Sequence, residues 1–179
     1  SDLVDAKTGN ELWSYPWVTA HDVNAADPIV DGSYVFFGSG YGKGSTVVKL
    51  GNGNPKKVWQ NKKLAAHFST PVLVDGHLYG ISGNAGRGTL QCIEMKTGRE
   101  KWSEKTGFGA LMVADDKLII QNDRGQIMVA KVSSSGYKEI AKCQAFRPRG
   151  KAWSMPVLAN GILYLRDSSG QMVALNARK

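Results

Sequence analysis

Aromatic, basic and amide side chains recur just ahead of four short apolar runs in this 179-residue chain. Asn24 precedes Ile29-Val30, Phe68 precedes Val72-Leu73-Val74, Phe108 precedes Leu111-Met112-Val113, and Trp153 precedes Val157-Leu158-Ala159. His67 adjoins Phe68, His21 and Asp22 lie just before Asn24, and Lys151 stands shortly before Trp153. Rings beside a few polar groups suit the holding of a ligand, with planar faces for stacking and polar atoms for orientation. The same rings also suit a plugged core, in which His67 is a hydrogen-bonded structural histidine. Bond-making chemistry has no comparable signal. There is no Gly-x-Ser-x-Gly, His-Glu-x-x-His or Cys-x-x-Cys, so neither catalytic residues nor metal ligands are assigned.

Gly38-Ser39-Gly40-Tyr41-Gly42-Lys43-Gly44 has the composition of a phosphate loop. No helix follows it whose N-terminus would hold an anion, so the expectation is a strand connection. Gly83-Asn84-Ala85-Gly86-Arg87-Gly88 occupies the corresponding place in the next unit, which makes Lys43 and Arg87 equivalently placed cations able to meet an acidic group. Cys92 and Cys143 have no paired spacing. Two buried free thiols are expected, with a disulfide as the alternative if the backbones approach within roughly 7 Å.

Repeated elements must position these residues. Asp5-Ala6-Lys7-Thr8-Gly9 with Trp13 and Glu94-Met95-Lys96-Thr97-Gly98 with Trp102 share one spacing, and Gly51-Asn52-Gly53 with Trp59 is a looser copy. A second pattern runs in phase, aligning residues 68–76 with residues 153–161, 108–116 and 24–32. Each unit reads as four short strands joined by hairpins, with turns at Thr8-Gly9, Asp31-Gly32, Asp75-Gly76, Thr97-Gly98 and Asn160-Gly161. A period of about 43 residues is that of a four-stranded propeller blade. The fold class is therefore all-β, a β-propeller of antiparallel four-stranded blades. Trp13, Trp59 and Trp102 are expected to lie buried between adjacent sheets.

The units run over residues 1–23 (the end of a preceding blade), 24–66, 67–106, 107–151 and 152–179 (an incomplete last blade). About four blades are thus present, and a seven- or eight-bladed ring is expected. A missing N-terminal half or a second copy would complete it. The alternative is a small four-bladed ring closed by residues 11–15 beside the last blade. The formal charge of +8 is spread over most turns, with one short cluster at Arg147, Arg149 and Lys151, which argues against nucleic acid. No apolar stretch is long enough for a membrane span.

The chain resembles the pyrroloquinoline quinone (PQQ)-type propeller repeat, A-x-D-x-x-T-G-x-x-x-W. Residues 3–13 carry it at Asp5, Thr8, Gly9 and Trp13, and residues 92–102 at Thr97, Gly98 and Trp102. Residues 130–140 keep the spacing with Ser135-Gly136 and Ile140. The likeness covers essentially the whole chain and is nearest to secreted bacterial PQQ-like repeat proteins. It implies a periplasmic or secreted, non-catalytic propeller that binds a ligand or a protein. Asn24, His67, Phe68, Phe108, Lys151 and Trp153 are the candidate axial site, and no cofactor is expected. The repeat also occurs in quinoprotein alcohol dehydrogenases, which implies a PQQ- and calcium-dependent dehydrogenase fragment as one alternative. Those enzymes hold the quinone against an adjacent Cys-Cys disulfide, and this sequence has no such pair. A carbohydrate-binding propeller, with Phe68, Phe108 and Trp153 stacking on sugar faces, is the other.

Overall fold

The computed structural model describes residues 1–84 and 86–178. Five antiparallel sheets follow one another in chain order, with strands paired in sequence inside each. The first holds β1 (Asp2–Val4) and β2 (Glu11–Ser14). The second holds β3 (Ile29–Asp31), β4 (Tyr34–Ser39), β5 (Gly44–Gly51) and β6 (Gly53–Asn61). The third holds β7 (Val72–Val74), β8 (His77–Asn84), β9 (Arg87–Glu94) and β10 (Glu100–Glu104). The fourth holds β11 (Gly109–Ala114), β12 (Lys117–Asn122), β13 (Gln126–Lys131) and β14 (Glu139–Gln144). The last holds β15 (Val157–Ala159), β16 (Ile162–Arg166) and β17 (Met172–Asn176). Among the described residues, the only helical segment is the 3-10 turn Ala20–Asp22. The all-β propeller architecture read from the repeat is what the chain adopts.

Period-two alternation sends neighbouring residues of one strand into different cores. Leu78 packs with Phe36, Val47, Leu64 and Ile93 between the second and third sheets. Its neighbour Tyr79 packs with Leu90, Leu111, Leu118 and Ile120 between the third and fourth. Likewise Ile119 turns from Leu118 and Ile120 toward Leu163 and Leu165 of the last sheet. A single sheet buries neither face alone, so stacking is what makes each one stable. The two end sheets are exceptions: Leu3, Val4 and Leu12 of the first sheet are exposed, and so is the outer face of the last. Val157, Tyr164 and Met172 stand exposed there, and β17 has no outer partner among the described residues.

The Thr-Gly turns explain their own sequence. The Asp5 carboxylate accepts hydrogen bonds from the Lys7 and Thr8 amides and the Thr8 hydroxyl. Those contacts, the Thr8 amide foremost, hold its pKa below the usual carboxylate value. Glu94 accepts from the Thr97 hydroxyl at 2.6 Å in the equivalent turn. Gly98 sits at φ +70°, and a β-carbon there would lie 2.6 Å from the Trp59 ring of the preceding sheet. The Trp59 indole donates to Met95 O in that same turn at 2.8 Å, and the Trp102 indole to Ser133 O at 2.8 Å. Each tryptophan thus docks on the next sheet's third-to-fourth-strand turn.

Three expectations need correction. Trp13, Trp59 and Trp102 are half-buried rather than enclosed; the Trp59 and Trp102 indoles lie on the next sheet's turn at the outer rim, where one edge meets solvent. Residues 11–15 do not complete the last sheet, since β2 pairs with β1, placing Leu3 opposite Trp13. Cys92 and Cys143 are both free, but only Cys92 is buried, because β14 is an exposed outer strand. Burial pushes the Cys92 thiol up to about 11.

Gly98→Val should lower stability in urea by more than about 1 kcal/mol, since it adds both left-handed strain and a clash with Trp59. Gly9→Val shares the positive φ but meets nothing within 4 Å, and should be milder. Equal losses at the two sites would show that the Trp59 contact contributes nothing.

Candidate functional site

Four crossings, each from an outer strand to the next inner strand, bring the candidate residues to the face that also carries the second-to-third-strand hairpins. A polar side chain at the end of each second strand fastens the crossing that leads into its own sheet. Ser39 accepts the Trp17 indole N–H at 2.9 Å and donates to Asn24 Oδ1 at 2.9 Å. Ser82 accepts the Ala65 amide at 2.9 Å. Asn122 donates to Thr106 O at 2.9 Å. Asp167 accepts the Arg149 and Gly150 amides at 2.7 and 3.0 Å. The Asp167 carboxylate also takes the Ser169 hydroxyl, which together with those amides holds its pKa far below the usual carboxylate range. It is therefore a fully engaged structural anion rather than a free acid.

These fastenings gather rings from three crossings. Phe68 stacks on Trp153 at 5.3 Å with 11° between planes, and Phe108 meets the Trp153 ring edge-on at 5.4 Å. His67 stacks on Phe68 at 3.7 Å, and Tyr41 meets His67 edge-on at 4.5 Å. The Lys151 ammonium lies 4.6 Å from the Trp153 ring centroid. Phe108 is core, and Trp153 is half-buried. Phe68 remains 41% exposed, so the cluster presents one ring to solvent. Beside it a cavity of about 340 Å³ is lined by Lys151, Trp153, Ser154, Arg166, Asp167 and Ser168.

Five of the six candidate residues come together: His67, Phe68, Phe108, Lys151 and Trp153. Asn24 does not, because its amide is drawn off to Ser39. The glycine-rich segment before β5 is a strand connection, and its Gly40 packs so closely on His67 that a β-carbon would lie 2.7 Å from the imidazole. Of the corresponding later segment, Ala85 lies outside the described residues. Sequence reasoning missed Tyr41, Trp17 and the four fastening side chains. The last had a legible signal, since Ser39, Ser82, Asn122 and Asp167 each stand five residues after the start of a second strand.

His67 is only 4% exposed, and neither ring nitrogen has a hydrogen-bond partner. The expected hydrogen-bonded structural histidine is therefore not what forms. Burial lowers its pKa below the ordinary 6.5, so the ring is neutral near pH 7. It has no bonded carboxylate or hydroxyl to form a proton relay, and the arrangement is one for contact and stacking.

Comparison with known proteins places this fold. The family model described as outer membrane protein assembly factor BamB matches residues 2–104. A curated relative, the quinoprotein alcohol dehydrogenase PedH of Pseudomonas putida, is 31% identical over 137 residues, covering 66% of this chain and 22% of its own. The crystal structure of BamB from Moraxella catarrhalis superposes with a TM-score of 0.69 at 14% identity, over 97% of this chain and 51% of that one. The computationally designed Ika4 protein superposes with a TM-score of 0.62 at 13% identity, over 94% of this chain and 98% of that one. The chain thus spans about half of the BamB structure and about a fifth of the dehydrogenase.

The neutral His67 makes stability pH-dependent. Below the ordinary 6.5 the unfolded chain takes a proton that the native chain refuses, so stability falls as pH drops, until the depressed native pKa is passed. His67→Phe should flatten the decline in urea midpoint between about pH 7 and about pH 5. An unchanged slope would place the acid sensitivity elsewhere.

Proposed function

This chain belongs to the family described as outer membrane protein assembly factor BamB, and from that premise we propose a non-catalytic binding scaffold in the bacterial cell envelope or outside the cell. Its working surface is the face of crossings and hairpins, and its ligand is a protein. The observation that carries this reading is the exposed Phe68 ring, held rigidly on Trp153 and His67 with Lys151 at the margin. A preorganised aromatic anchor with a cation beside it has the character of an interface hot spot. Because Phe68 and Trp153 cover each other's faces, the surface suits a protruding side chain better than a sugar ring. Replacing Phe68 with a photo-crosslinking benzoyl-phenylalanine should give a discrete protein adduct in intact cells. The same probe at exposed Val58 on the outer strand β6 should give none, and adducts from both positions or from neither would refute the reading.

The 31% identity to PedH supports a second reading, a quinone-dependent dehydrogenase segment. Among the described residues no three His, Cys, Asp or Glu side chains gather as a metal site. Cys92 and Cys143 are unpaired. The adjacent Cys-Cys pair that the resemblance implies for the quinone is absent from this stretch. Quinone-type absorbance and dye-linked alcohol oxidation on adding PQQ and Ca²⁺ would favour the enzyme.

The scaffold also extends beyond these five sheets. The interfaces between adjacent sheets are packed apolar cores. By contrast, Val157 and Met172 of the last sheet and Met155 just before it are 52%, 66% and 55% exposed, and Leu3, Val4 and Leu12 of the first sheet are exposed too. Further propeller sheets, from a companion segment or a second copy, cover these exposed faces in this reading. Light scattering on this chain alone should show self-association. A stable monomer would count against a second copy, and failure of a companion segment to bind it as well would defeat this part of the proposal.

A further inference from the structure

The third and fourth sheets enclose a cleft of about 530 Å³ on the crossing-and-hairpin face, apart from the aromatic cluster. Arg87 enters it from the β8–β9 hairpin, Lys105 from the crossing after β10, Arg124 from the β12–β13 turn and Lys142 from β14. All four are exposed, and among the described residues none forms an ion pair with a carboxylate. The neighbouring Asp123 carboxylate is engaged by the Gly86 amide at 2.9 Å. Four cations and no carboxylate among the lining residues leave a positive excess in a concave, partly walled space, where the field is focused.

The floor of the cleft is built rather than incidental. Asn122, 2% exposed, donates to Thr106 O and to Gln126 Oε1 and accepts the Arg124 and Gln126 amides. The Gly107 amide donates to Gly88 O at 3.2 Å, and a β-carbon on Gly88 would lie 2.3 Å from Gly107 O, so the crossing touches β9 of the third sheet backbone to backbone beneath the cations. Arg87, Lys105, Arg124 and Lys142 thus come from four segments that the floor holds at fixed positions. Guanidinium forks pair with phosphate oxygens two at a time, and ammonium groups supply point charge beside them.

We propose that this cleft is a binding site for a small anion carrying two or more phosphate groups, held by Arg87, Arg124, Lys105 and Lys142. The phosphates belong either to a free diphosphate or to a lipid headgroup. Calorimetric titration at low salt should show inorganic pyrophosphate binding more tightly than inorganic phosphate. Arg87→Gln with Arg124→Gln should weaken it by about tenfold or more, and so should Lys105→Gln with Lys142→Gln. Lys56→Gln with Lys57→Gln removes the same charge from the outer strand β6 and should change affinity by less than about twofold.

Binding of pyrophosphate without sedimentation on vesicles of cardiolipin, whose headgroup carries two phosphates, identifies a free ligand. Sedimentation that pyrophosphate reverses identifies a headgroup. Equal losses in all three double variants, vesicle binding that survives the cleft substitutions, or no pyrophosphate binding at all would each overturn the proposal. Circular dichroism and urea midpoints matching the parent chain show that any loss is not one of folding.

Discussion

The fastening at the end of each second strand is the interaction on which the arrangement depends. A propeller chain must return from the rim of one sheet to the axis and start the next at the right height. Ser39, Ser82, Asn122 and Asp167 accomplish this by hydrogen-bonding the incoming crossing to the sheet it leads into. Three of the four, Ser39, Asn122 and Asp167, are buried, where an unmet polar group would be expensive. The crossing is thereby confined to one path, and the first strand that follows enters its sheet in register. The four use different chemistry for one task, through a hydroxyl, an amide or a carboxylate.

A second set of contacts acts at the rim. Trp59 and Trp102 each reach to the next sheet's turn and donate to a backbone carbonyl there. The Thr-Gly turn is shaped to receive the ring, since Gly98 leaves no side chain between its backbone and Trp59. Fastening near the axis and docking at the rim hold successive sheets at two radii, with the apolar cores between. This explains why the tryptophans are half-buried. They seal the outer end of an interface whose middle is filled by residues such as Leu78 and Ile93.

Both candidate surfaces follow from that frame. Because the crossings are pinned, Phe68 from one and Trp153 from another meet in a stack, even though they are far apart in sequence. Because the Asn122 fastening joins Thr106 to the turn bearing Arg124, cations from neighbouring sheets surround a single cleft. The face is thus aromatic over one part and cationic over another. His67 carries a tension there, a buried imidazole with no partner for either nitrogen.

Local chemistry in the chain determined the strand count, the hairpins and the order of sheets. Thr8-Gly9, Asp75-Gly76, Thr97-Gly98 and Asn160-Gly161 carry positive-φ glycines, and period-two runs between them leave no other regular structure available. Repetition then determined the stacking, because one such sheet cannot be stable alone. The aromatic site was legible in part: aligning the repeats put Phe68, Phe108 and Trp153 in one column. Only the tertiary structure decided that Asn24, in the same column, turns away to Ser39, and that Tyr41 joins the cluster edge-on to His67 instead. It also decided that residues 11–15 stay with their own hairpin, and that Arg87, Lys105, Arg124 and Lys142 face a common space. The reason is physical. Turn and strand preferences act over a few residues, whereas these choices rest on distances between sheets that no local pattern encodes.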